Sequence, residues 1–136
     1  MEKYESKQVK INKPASMVYM SISDFNNFTP MLQDKVDDWN VDGDTCSFKI
    51  KGFPARLRIM EKTPCECIKI TGDEGSPFEF FFWIQLKQIA DNDTRMKLTM
   101  HVKLNMMMKM MVGKKLEKGI DEMAEKMAEA FNNIPG

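Results

Sequence analysis

The stretch from Met106 to Gly136, MMMKMMVGKKLEKGIDEMAEKMAEAFNNIPG, decides the fold. From Leu116 onward its apolar positions are Leu116, Ile120, Met123, Met127, Phe131 and Ile134, at intervals of three and four residues that set them on one face of a helix. Lys115, Glu117, Lys118, Asp121, Glu122, Glu125, Lys126 and Glu129 fill the remaining arc. Gly113 interrupts the pattern. Glycine inside a helix costs about 1 kcal/mol relative to alanine, so a kink or a late helix start is expected there. Burying each apolar side chain contributes about 1.5–3 kcal/mol gross, against about 1–2 kcal/mol per residue for ordering the backbone. Such a helix needs a surface to lie on, and the residues before it read mainly as strand.

Working outward, Glu5–Asn12 alternates, with Val9 and Ile11 on one side and Gln8 and Lys10 on the other, which predicts a half-buried strand. Pro14 suits a first helical position, and Met17, Val18, Met20 and Ile22 supply an apolar side to a short helix ending near Ser21. Asp24 is a good N-cap for a further turn through Phe25 and Phe28, which Pro30 should end. Strands follow at Val36–Val41 and Thr45–Lys51, around Asp42-Gly43-Asp44, a tight-turn signal. After a break at Gly52-Phe53-Pro54, Ala55, Leu57 and Ile59 alternate with Arg56 and Arg58, giving a strand with a basic outer face. Thr63-Pro64 turns the chain into Cys65–Thr71, and Gly72–Pro77 is loop. Phe78–Ile89 and Thr94–Leu104 read as the two longest strands, joined in a hairpin through residues 90–93. Met96, Leu98, Met100, Val102 and Leu104 share one face of the last strand. Polar residues in its partner send Phe78, Phe80, Phe82, Ile84 and Leu86 inward. Phe81 and Trp83 are left outside, unless a bulge swaps the parity.

The 136 residues fit one domain, 1–136, of class α+β. Twenty basic and twenty acidic residues cancel, so the sequence offers no positive field of the kind that nucleic-acid or anionic-membrane binding usually needs. The opening MEKYESKQVK has no apolar signal core and no apolar run approaches spanning length. A soluble, unprocessed, cytoplasmic chain is expected, with no stable membrane insertion. Cys46, Cys65 and Cys67 are too few and too irregular for a disulfide framework, so reduced thiols are expected. Fourteen methionines, five of them within Met106–Met111, suit a pliable apolar pocket or its rim.

The order of elements resembles the SRPBCC superfamily, whose members share the helix-grip fold and include polyketide cyclase-like, StAR-related lipid-transfer and birch-pollen-allergen-like proteins. The resemblance spans essentially the whole chain. It rests on Val9 and Ile11 in the strand, Pro14, Val18-Tyr19, Ile22-Ser23-Asp24 and Asn27, then Asp93-Thr94-Arg95 opening the last strand, then the closing amphipathic helix. It implies a curved antiparallel sheet of about seven strands, with two short helices after the first, wrapped around the long C-terminal helix. It also implies a cavity between sheet and helix for lipids, sterols, polyketides or other apolar metabolites.

The leading expectation is therefore a protein that binds a small hydrophobic or amphipathic molecule. The residues expected to line the site are Phe48, Leu57, Ile59, Phe80, Phe82, Ile84, Met96, Leu98 and Met100, faced by Met110, Leu116, Ile120 and Met123. A cyclase- or dehydratase-type enzyme using the same cavity is the first alternative. The inward set supplies almost no titratable group, so no catalytic residue is assigned. His101, the one histidine, faces outward by parity, and Cys65 and Cys67 on one strand side lack partners, so no metal or cofactor is expected. The second alternative is a closed cavity with a homodimer or partner surface through Phe81 and Trp83.

Overall fold

In the computed structural model, residues 1–50, 52–73 and 79–135 are described. Lys51, most of the loop expected over 72–77, and Phe78 lie outside the described residues. The chain forms β1 (Glu2–Glu5), β2 (Val9–Ile11), α1 (Ala15–Ile22), a 3-10 turn (Phe25–Phe28), α2 (Thr29–Leu32), β3 (Asp37–Asp42), β4 (Thr45–Ile50), β5 (Phe53–Thr63), β6 (Cys67–Gly72), β7 (Phe80–Ala90), β8 (Asp93–Val102) and α3 (Met106–Asn132). The strands make one antiparallel sheet in which β3 to β8 follow in sequence order, and β1 and β2 both pair with β8. This is the α+β helix-grip architecture.

Several local expectations are corrected. The first strand is two, because the Ser6 hydroxyl accepts from the Leu98 amide at 2.8 Å where the ladder breaks, and the sheet has eight strands. Pro30 opens α2 instead of ending the preceding turn, since a proline at the start of a helix removes an amide that had no partner there. The preceding turn is capped as expected, with the Asp24 carboxylate accepting from the Asn26 amide. Gly43, at φ 59°, makes the β3–β4 turn. Phe53 and Pro54 belong to β5, which is as long as β7. Among the described residues β6 pairs with β5 only from Leu57, so no described neighbour on that side needs the donor that Pro54 lacks. Cys65 sits in the β5–β6 turn at φ 62°, not on a strand beside Cys67.

The helix α3 begins at Met106, with the Asn105 side chain accepting from the Met108 amide, and runs through Gly113 without a break. It packs against β1, β2 and β8, while α1 packs against β7. Polar contacts fasten α3 to the N-terminal segment along its length. Lys109 pairs with Glu2 at 3.1 Å, the Lys7 amide donates to Asp121 at 2.8 Å, and Lys7 pairs with Glu125. Asn132 bridges the Lys10 carbonyl and the Asn12 amide. The buried Lys13 ammonium donates to the Ile134 carbonyl at 2.6 Å, where the helix dipole favours a cation.

Candidate functional site

The inner face of the sheet is mainly apolar, with Glu2 of β1 and the buried Thr94 of β8 among its polar members, and its two ends differ in depth. At the end formed by the start of β8 and the end of β7, Ile84, Leu86, Met96 and Leu98 are fully buried with Ile59, Ile68 and Ile70. Ile11, Val18, Ile22 and Phe25 and the α3 residues Ile120, Ala124, Met127, Ala128 and Phe131 close over them. At the other end, where β8 leads into α3, Val102 and Cys46 are buried as well, but several of the inward side chains around them are only half buried. Tyr4, Met100 and Phe82 stand side by side on β1, β8 and β7, with Phe80, Leu57, Phe48, Val41 and Trp39 continuing the face toward β3. Leu116 is half buried on the helix. An inward apolar side chain that solvent still reaches is one that the elements above it do not fully cover.

The expected lining residues thus fall into three groups. Phe48, Leu57, Phe80, Phe82, Met100 and Leu116 border the open end, while Ile59, Ile84, Met96, Leu98 and Ile120 are sealed in the closed end. Met110 and Met123 are corrections, being 81% and 46% exposed. The buried stripe of α3 is centred on Ala124 and Ala128, small residues that let the helix approach closely, and Met123 is thereby turned aside. Met110 lies on the right stripe but in turns that nothing covers.

Shallow clefts are also present, and an open, largely polar one of about 490 Å³ lies between Met20, Ser23, Asp24 and Asn26 on one side and Gly43, Asp44 and Lys62 on the other; two others are smaller. One of about 250 Å³ lies between Phe28 and Met31 on one side and Met127 and Phe131 of α3 on the other. Another of about 290 Å³ lies between β4 and β5 beside Phe48 and Ala55. Both are below the usual range for a drug-sized guest, about 300–1,000 Å³.

No titratable side chain points inward from β7 or β8. Glu61 is exposed on the outer face opposite Lys69, and Tyr19 packs against the core. Arg56 and Arg58 stay on the outer side, 3.4 and 3.8 Å from Asp73. Burial pushes the Cys46 thiol up to about 11, so it is a packing group and a poor nucleophile. Burial, and then the nearby Glu61 and Glu66, raise Cys67 as well. Among the described residues no cluster of three or more histidine, cysteine or acidic side chains could hold a metal.

Phe81 and Trp83 are on the outer face, as parity predicted; the hairpin's bulge lies further along, between Gln88 and Ala90. Their rings are 6.1 Å apart, His101 meets Trp83 edge-on at 4.7 Å, and the Lys69 ammonium sits 4.9 Å from the Phe81 ring and 5.4 Å from Trp83. Sequence reasoning missed one contact of the open end: a methyl group added at Gly113 would lie 3.3 Å from the Tyr4 hydroxyl. The mid-helix glycine was its signal, read as a break when it marks a close approach.

No protein-family model matches the sequence, and no curated protein matches it. Solved structures do. Norcoclaurine synthase from Thalictrum flavum, in complex with dopamine and hydroxybenzaldehyde, is similar over 99% of this chain and 88% of its own, with TM-score 0.79 and 10% identity. The Aha1 dimer from Colwellia psychrerythraea is similar over the whole of both chains, with TM-score 0.73 and 13% identity. An uncharacterized protein from Bacillus thuringiensis is similar over 96% of this chain and 98% of its own, with TM-score 0.68 and 14% identity. These likenesses define the class by architecture: the fold is the helix-grip fold. At such identities they speak for fold alone.

Proposed function

We propose that this chain binds a small hydrophobic or amphipathic molecule at the open end of its interior, against Phe82, Met100, Leu57 and Phe80. One observation carries the reading: inward apolar side chains are all sealed at one end of the sheet face, whereas at the other Phe80, Phe82, Met100, Leu57 and Phe48 stay partly accessible beside the buried Val102 and Cys46. Burial of apolar surface would supply the affinity, and the Tyr4 hydroxyl offers a polar handle beside it. That norcoclaurine synthase, a structural neighbour, holds two aromatic molecules supports the class of guest. An enzyme of the cyclase type ranks behind, because the inward faces of β7 and β8 carry no acid or base and Glu2 on β1 is paired with Lys109. Native mass spectrometry of gently purified protein, with titration of an environment-sensitive apolar fluorophore, tests the reading. A bound mass, or fluorescence enhancement reduced by Leu57→Phe, is expected. No adduct and no enhancement would remove it.

A second reading, a homodimer through Phe81 and Trp83, is favoured by the aromatic patch on the outer face and by the dimeric Aha1 neighbour. Sedimentation velocity at several concentrations would then show a dimer that Trp83→Glu dissociates. A monomer at every concentration for both proteins would remove it.

A further inference from the structure

The first turns of α3 present an apolar surface that the rest of the molecule leaves uncovered. Met106, Met107, Met110 and Met111 are 80%, 71%, 81% and 68% exposed. Met106, Met110, Gly113, Glu117, Ile120 and Ala124 succeed one another at helical spacing, so the stripe that is buried over the closed end is bare at the open end. Met1, also exposed, is brought to the same end by the Lys109–Glu2 pair.

Along the first half of the helix itself the charge is mostly positive, although Lys109 is paired with Glu2 of β1 and Lys118 with Glu122. Between residues 103 and 118 the sequence has Lys103, Lys109, Lys114, Lys115 and Lys118 against the single acid Glu117. Between 119 and 135 it has Asp121, Glu122, Glu125 and Glu129 against Lys126. A chain with no net charge has therefore segregated its charge along one helix, with the cations around the exposed methionines and the positive end of the helix dipole among them.

We propose that the N-terminal half of α3 docks on the surface of a bilayer carrying anionic headgroups. The methionines enter the boundary between headgroups and acyl chains, and the lysines lie among the phosphates. Four flexible thioether side chains suit a disordered apolar medium, and each lysine near an anionic surface adds attraction that salt screens. Charge complementarity selects this occupant over a neutral apolar one. The helix lies on the surface without crossing it, since no helix among the described residues is long and apolar enough to span.

This surface is distinct from the inner face of the sheet, and its test is separate. Co-sedimentation would compare vesicles of phosphatidylcholine alone with vesicles of phosphatidylcholine and phosphatidylserine. The full chain is expected to bind the second and not the first, with binding falling as salt rises. The triple variant Met106→Ser, Met107→Ser, Met111→Ser and the double variant Lys114→Glu, Lys115→Glu should each weaken partition by roughly tenfold or more. All five positions are at the surface, so thermal melting should show both variants folded. Fluorophore binding to the interior, measured without vesicles, should be unchanged in them, which separates failure of docking from failure of the ligand reading. Absence of binding to anionic vesicles, equal binding to neutral ones, or binding that survives both variants would overturn the proposal. So would a dimer broken by the methionine variant in the absence of vesicle binding, which would assign the surface to a second copy of the chain.

Discussion

Tyr4 and Gly113 lie far apart in sequence and meet at the open end of the interior. An alanine methyl at 113 would stand 3.3 Å from the Tyr4 hydroxyl and 3.8 Å from Lys109 Cγ; the first is tighter than ordinary packing and the second is not. Alanine should gain about 1 kcal/mol in helix propensity over glycine, and crowding of the hydroxyl should offset it. In urea denaturation Gly113→Ala is therefore expected to gain well under 1 kcal/mol alone and about 1 kcal/mol when Tyr4→Phe has removed the oxygen; additive effects would refute the contact. Glu5 is set by charge. Hydrogen-bonded pairs with Lys3 and Lys97, each at 2.6 Å, lower its carboxyl from the ordinary 4.5 to about 2. Because the folded state binds that proton more weakly, the pairs stabilise the fold above pH 4.5, and their contribution is lost as pH falls through that range toward 2. Glu5→Gln should flatten the stability profile between those values, and added salt should shrink the difference, since the pairs are at the surface. An unchanged slope would mean that they do not hold in solution.

At the scale of the element, the closing helix was legible in its existence, its amphipathic character and its role as the lid of a sheet. Its face was not fully legible. A count of large apolar residues selects Met123, whereas the helix lies close enough to the sheet that alanines form the contact: Ala124 has no exposed surface and Ala128 is 6% exposed. Side-chain size reports what can be buried, and the approach distance of two elements decides which residues are. The same limit explains the N-terminal strand, whose alternation was read correctly from Val9 while the break at Ser6 depends on a hydrogen bond to a strand far along the chain. Ala124→Leu is expected to cost about 1–3 kcal/mol by overpacking, and Met123→Ala less than about 0.5 kcal/mol, both read from denaturant midpoints. Equal effects would place the helix face where the apolar count had it.

Across the whole molecule, strand parity told which residues face inward and could not tell how deep the interior is at each point. Parity is a local property of the backbone, whereas depth depends on where α3 ends its cover and where the short helices begin theirs. The separation of a sealed end from a more open one is the feature on which the proposed ligand binding rests, and paired substitutions of one kind can measure it. Ile84 and Leu57 are inward β residues of equal volume; Ile84 is 2% exposed amid the closed packing, and Leu57 is half buried at the open end. An interior at native density rejects added volume, and one with unfilled space accepts it. Ile84→Phe should therefore cost about 1–3 kcal/mol, while Leu57→Phe should fall within about 0.5 kcal/mol of the parent and take volume from any guest. If Leu57→Phe proves as costly as Ile84→Phe, solvent reaches the surface of Leu57 without room behind it, and the interior is solid from end to end.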